Sequence, residues 1–325
     1  MRIKLVSAKA LILIIAAMRS AHAATTVDES DSINRAYVLE AHGDFAGAIT
    51  ILTPIANSPS AGLSDETKGI VFNLLGSAYR VTDNFAEAQR FYEKAIAILR
   101  RDPSSQSELA SSIDNLGSLE ASLGHSAESE RLSKRARKIY IALDDHAGLA
   151  RVSTSLAVIA MQRDDRSAVR NYLVQALHEA QLAGDLDDDQ IASMNGVHGW
   201  LAMKDGNPQS ALSFFDNAIA HWARLHGPGS CQVATGMVLR AQAYEKNRDF
   251  KDASTDLEQA EDIFATELGE NSTLYWSAVL DQAVLLKHEG HEREARSLEI
   301  RATSALNNIE RETCVNCTIT AQAFR

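Results

Sequence analysis

The sequence predicts an all-α protein, a right-handed superhelical solenoid of about seven helix–turn–helix repeats, and three observations predict it. Small residues recur in register along the whole chain; a polar break divides each copy into two helical apolar patterns; and the composition favours helices. Only 5 of 325 residues are proline and 6% are aromatic. Alanine and leucine dominate the apolar residues, and these two lose little conformational entropy in a helix.

The register is read most easily from the copy at residues 72–98, FNLLGSAYRVTDNFAEAQRFYEKAIAI. A small residue in the middle of its first helix returns as Ala36, Gly76, Gly117, Ala157, Gly199, Ala241 and Ala283, at spacings of 40, 41, 40, 42, 42 and 42. Twelve positions later stand Ala48, Ala88, Ser129, Val169, Ala211, Ala253 and Ala295. Seven further on come Ile55, Ala95, Ala136, Ala176, Ala218, Ala260 and Ala302. Three columns sharing one period mark a repeat array. Small side chains at these places let antiparallel helices approach closely, while Leu, Phe and Tyr such as Leu75, Tyr92, Leu173 and Phe215 fill the space around them.

Between the paired helices lie Gly43-Asp44, Asp83-Asn84, Gly124-His125, Asp164-Asp165, Gly206-Asn207, Arg248-Asp249 and Gly290-His291. Glycine supplies the left-handed residue that ends the first helix, and Asp or Asn then caps the second by accepting a backbone N–H. Pro208 follows Asn207 at the first helical position, where a missing N–H costs nothing. His125 and His291 are weaker caps. No low-complexity linker interrupts the series, so one continuous solenoid is expected over residues 29–310, each repeat touching only its neighbours.

The chain ends have a different chemistry. Arg2, Lys4 and Lys9 precede an apolar run from Ala10 to Met18, and Ala21-His22-Ala23 offers small residues for cleavage, which reads as a signal peptide over 1–23. An uncleaved membrane anchor is the alternative. Residues 24–28 are expected to be a leader and 311–325 a C-terminal tail. Without 1–23 the chain keeps 28 basic against 43 acidic residues, a net charge of −15. That field repels nucleic acid, and export points to a periplasmic or secreted location.

Enzyme signatures are missing: there is no GxSxG, P-loop or GxGxxG. The stretch His288-Glu289-Gly290-His291-Glu292 spaces its histidines three apart across a turn, whereas a zinc-protease helix needs them four apart on one face. The acidic run Asp185 to Asp189 is followed by Gln190 and Gly196 where a calcium loop requires Gly and Glu. Cys314 and Cys317 form a CxxC whose simplest reading in an oxidising compartment is a disulfide loop; free thiols, metal and cross-linking remain alternatives. Cys231 is left over and expected to be buried. No cofactor, metal site or catalytic set follows.

In its Ala/Gly columns and helix breaks the chain resembles the tetratricopeptide-repeat (TPR) family. Its period of 40–42 residues, longer than the usual 34, and loops such as HGPGSCQ resemble the kinesin-light-chain type found in many bacterial proteins. Several copies depart from the pattern: Glu120 and Ala160 stand at an aromatic position, and Ser133 and Glu299 replace large apolar residues. The resemblance implies that first helices line a concave, partner-binding surface. Counting one and four places beyond the small-residue column then selects Tyr37, Arg80, Val158, Met161, Trp200, Met203, Gln242 and Lys287, to which Asn73 is added as a polar groove residue. Val158, Met161, Trp200 and Met203 make the middle of that groove apolar, suited to a partner's hydrophobic side chains. These side chains could equally seal the packing between adjacent first helices. The expected role is a protein- or peptide-binding scaffold without catalysis; a thiol/disulfide accessory using the CxxC, or a self-assembling part of an envelope complex, are the alternatives.

Overall fold

The structure is a computed structural model that describes residues 29–57, 63–184 and 186–313, all of them helix, turn or connecting loop. Fourteen helices follow one another: α1 (29–41), α2 (Phe45–Asn57), α3 (Asp65–Val81), α4 (Phe85–Leu99), α5 (Gln106–Ser122), α6 (Ser126–Leu143) and α7 (His146–Gln162). The series continues with α8 (Arg166–Ala183), α9 (Asp188–Lys204), α10 (Pro208–His226), α11 (Cys231–Asn247), α12 (Phe250–Glu267), α13 (Thr273–His288) and α14 (Glu292–Thr313). They pack as seven antiparallel pairs. First helices α3, α5, α7, α9, α11 and α13 also lie side by side, forming an inner layer. The expected signal peptide, leader and CxxC lie outside the described residues, while α14 runs to Thr313, three residues into the expected tail.

Every member of the three columns is buried except Ile55, which is partly so. The choice between Gly and Ala in the first column follows the residue sixteen positions later, on the partner helix. A Cβ on Gly76 would lie 2.6 Å from the Tyr92 ring, and one on Gly199 would collide with the Phe215 ring. Ala36, Ala157 and Ala241 instead stand opposite the smaller Leu52, Leu173 and Leu257. Close packing thus trades a methyl on one helix for a ring on the other.

Where that partner is Ser133, the volume is filled differently. The Asp114 carboxylate, only 3% exposed, accepts from the Ser133 hydroxyl (2.8 Å) and from Ser155 on the next repeat (2.9 Å). Burial pushes the Asp114 carboxyl up, against the pull of these two donors and of Arg151. The departure at Ser133 is a hydrogen-bonded core node.

All seven expected turns carry a left-handed residue: Gly43, Asp83, Gly124, Asp164, Gly206, Arg248 and Gly290, with φ between 53° and 87°. Asp44, Asn84, Asp165 and Asn207 cap the helices that follow by accepting from backbone N–H groups three residues on. His125 makes no such bond, as its type foretold. Asp249 also makes none: its carboxylate is taken by the Asn247 side chain, a local partner that outcompetes the cap.

One expectation fails. The repeats do not touch only their neighbours, because the superhelix closes on itself. Phe45 and Ala78 from the first two repeats share a buried cluster with Cys231, Ala234, Ala260, Phe264 and Ala278 from the last two. Asp83 accepts a 2.6 Å bond from the Thr273 N–H, and the His226 ring contacts the Ala41 carbonyl at 3.1 Å, spans of 190 and 185 residues. The regular small-residue columns set how far each repeat rotates from the last, and here the summed rotation brings the ends together.

Candidate binding groove

Inside the ring, the inner layer frames a cavity of about 330 Å³. Its walls come from α7, α9, α11 and α13, with Phe264 of α12 closing one side. A single large aromatic or branched side chain with part of its backbone fits such a volume, at the small end of ligand pockets. The lining is mostly apolar, with Gln162, Asp164, Lys204, Gln242 and Asp281 among its polar members. A second hollow of about 320 Å³ continues from it, sharing Trp200, Lys204, Gln242 and Asp281 and adding Met203, Glu245, Lys246 and Val284.

Four of the residues selected from sequence, Val158, Met161, Trp200 and Gln242, line the main cavity, and Met203 lines its extension. Trp200 is only 4% exposed and packs with Ala157, Leu173, Val197 and Leu201, so it contributes one edge to the cavity while joining repeats four and five. Val158 is 39% exposed and freely accessible. Met161 and Met203 are partly buried against the same cluster. Gln242 donates to Asp281 across two repeats at 3.0 Å, orienting both groups at the polar rim. Lys204 pairs with Asp164 at 3.0 Å and lies 5.2 Å above the Trp200 ring.

The remaining selections fall elsewhere. Tyr37 is 49% exposed at the inner surface of the first repeats. There its hydroxyl is pushed up by burial and by the charges of Glu40 and Glu108. Arg80 faces Glu40, whose carboxyl burial drives up to about 8 against that attraction. Asn73 accepts from Asn115 at 3.1 Å and thereby joins α3 to α5. Lys287 is paired with Glu299 on α14, away from the cavity. That pair also accounts for Glu299 at a position that five other repeats fill with Leu, Tyr or Phe. The histidines of the His288–Glu292 stretch are separately engaged, His288 with Glu245 at 2.9 Å. Asp187 caps α9, and Asp188 and Asp189 hold His221, Arg224 and Trp222 of α10.

Several cavity residues were missed from sequence: Thr235, Val238 and Leu239 on α11 and Leu274, Ser277 and Ala278 on α13. Stepping backward from the column by three and six places stays on the same helix face as stepping forward by one and four, and it reaches Thr235, Val238 and Ser277; Leu239, Leu274 and Ala278 lie off those positions. Phe264 belongs to a second helix, and no count along first helices reaches it.

Residues 67–142, covering the second and third repeats, match the family model described as tetratricopeptide repeat. The chain is a solenoid of helix pairs, and its second and third repeats are tetratricopeptide repeats. Among solved structures it resembles aspartyl phosphate phosphatase F from Bacillus subtilis, with a TM-score of 0.63, 10% identity, and coverage of 94% of this chain and 77% of that one. It is also similar to NprR in complex with its cognate peptide NprX, with a TM-score of 0.62, 12% identity, and coverage of 89% and 83%. A Rap protein complexed with Competence and Sporulation Factor aligns at a TM-score of 0.61 and 13% identity, over 88% and 78% of the two chains. At these identities the likeness is one of fold. A human protein, the clustered mitochondria protein homolog, is 25% identical over 154 residues, 46% of this chain but only 12% of that protein's length.

Proposed function

We propose that this protein is an exported scaffold that binds a peptide or extended protein segment along its inner face, seating a bulky apolar side chain between α7, α9, α11 and α13. The observation that carries this is the convergence of apolar side chains from four successive first helices on one cavity, with polar groups at its rim. Enclosed apolar volume rewards a ligand side chain, and rim groups such as Gln242 and Asp281 offer hydrogen bonds to its backbone. NprR and a Rap protein, whose folds it shares, are both described in complex with a peptide or factor. The same lining argues for binding without turnover. Its hydroxyls are Thr235 and Ser277; Thr235 is spent on the Cys231 carbonyl at 2.8 Å, and no imidazole stands beside them.

Selection of random peptides on the mature protein, followed by calorimetric titration, tests the reading. Binders should share a large apolar residue and lose at least about tenfold in affinity to Val158→Arg or Leu239→Arg. Peptides indifferent to both changes would place binding elsewhere. Export is tested by fractionation and by N-terminal sequencing of the mature chain, which should begin at Ala24.

A further inference from the structure

The contacts that close the ring are unlike the seams between repeats. We propose that the turns of the first two repeats form a clasp that shuts the ring over Cys231 and one wall of the cavity, and that its opening uncovers both without unfolding any helix. This holds whatever occupies the groove, so it stands or falls separately from the function proposed above.

Phe45, the first residue of α2, is the centre of the clasp. Its ring is 4% exposed among Ala234, Ala260 and Ala278, whose small side chains leave a hole of ring size. Gly43 beside it has a left-handed φ of 84° and lies against the Glu267 carboxylate, which would have to swing aside for a Cβ built 2.5 Å from it. Across the same junction Asp83 accepts from the Thr273 N–H, the first free donor of α13, where a helix end has no internal partner to offer.

Three properties make this junction the one that opens. Neighbouring repeats are joined along whole helix faces, whereas the clasp, among the described residues, buries one ring and one alanine, flanked by the partly buried Ile49 and Val81, and adds two bridging hydrogen bonds. It also gathers acids: burial and then the charge of Asp44 push the Glu267 carboxyl up, and Asp83 is buried at the Thr273 bridge. Finally, it joins chain segments far apart in sequence, so small tilts at the intervening seams suffice to part them, and low-stability junctions are the ones that open locally. Cys231 sits in the clasp cluster, its thiol pushed up to about 12 by burial and by Glu267. Phe264, Leu274, Ala278 and Val238 belong both to the seat of the clasp and to the cavity wall, so opening the one uncovers the back of the other.

The test uses the full mature chain carrying Cys314→Ser and Cys317→Ser, which leaves Cys231 as its single thiol. Phe45→Ala empties the hole. Thr273→Pro removes the bridging N–H together with the buried Thr273 hydroxyl beside Asp83 and leaves α13 in place, because proline is tolerated at the first position of a helix and the preceding Ser272 is already extended (φ −115°, ψ 148°). Both should speed maleimide labelling of Cys231 by at least about tenfold and raise the radius of gyration in small-angle scattering, with helical circular dichroism unchanged. If Phe45→Ala fails to fold, Thr273→Pro decides alone. Labelling and radius unchanged in a folded variant would overturn the clasp, as would faster labelling that comes only with loss of helix.

Discussion

Single positions carry two kinds of information, one about neighbours in the same repeat and one about the far end of the chain. Gly199 belongs to the first kind. A methyl there must displace the Phe215 ring, and overpacking of this sort costs about 1–3 kcal/mol. Gly199→Ala should therefore destabilise, Phe215→Leu should cost a comparable amount through lost volume, and the double variant should cost clearly less than the sum, since Ala opposite Leu is the arrangement of three other repeats. Additive losses in chemical denaturation would sink that account. Asp83 is of the second kind. Burial drives its carboxyl up to about 6, against the pull of the Thr273 N–H and of Arg80. A carboxyl raised above its unfolded value of 3.8 stabilises fully below that value, and its contribution is lost as pH rises through about 6. Asparagine keeps the acceptor and accepts the left-handed backbone at φ 58°. Asp83→Asn should thus raise Tm above pH 6.5 and converge with the parent toward pH 4; a variant less stable at every pH would show that the end of α13 prefers the charge.

At the scale of elements, the turn residue and the cap act separately. The left-handed residue appears at all seven turns, whether glycine, aspartate or arginine, so packing of the paired helices dictates the turn and the cap adds to it. His125 has nearly the backbone geometry of Asn84 (φ −82°, ψ 55° against −88°, 67°) but makes no capping bond. His125→Asn should stabilise by about 1 kcal/mol, offset in small part by the lost exposed contact with Glu120; no gain in urea denaturation would mean that the α5–α6 turn cannot present the side chain. These elements were legible in sequence because the columns and breaks are local and repeat seven times. Four of the fifteen residues that line the cavity, Val158, Met161, Trp200 and Gln242, were legible for the same reason. What was not legible depended on sums over many repeats. Phe45 begins α2 as Phe85 begins α4 and Phe250 begins α12, so it reads as an ordinary repeat residue, and nothing in its surroundings announces that its ring meets α11 and α13. Asp83, likewise, reads as a turn residue beside Asn84.

For the whole molecule, closure changes what kind of object the array is. An open solenoid is stabilised by its repeats and by the seams between neighbours, so removing the first repeat lowers stability at that end and leaves the last repeats as they were. A ring adds one further seam, and that seam couples repeats one and two to repeats five, six and seven. A chain beginning at Ser64 lacks Phe45 and Gly43 but retains Asp83, so it loses the buried ring and keeps the Thr273 bridge. We expect its amide exchange to accelerate in two separated places: at α3, newly exposed, and at α11 to α13, some 170 residues away in sequence. The α6 to α8 segment, which touches neither, should exchange as in the parent. Acceleration confined to α3 and α4 would show a linear array whose ends merely lie near each other. Acceleration at α11 to α13 as well would show that the wall of the binding cavity is held in place by the opposite end of the chain.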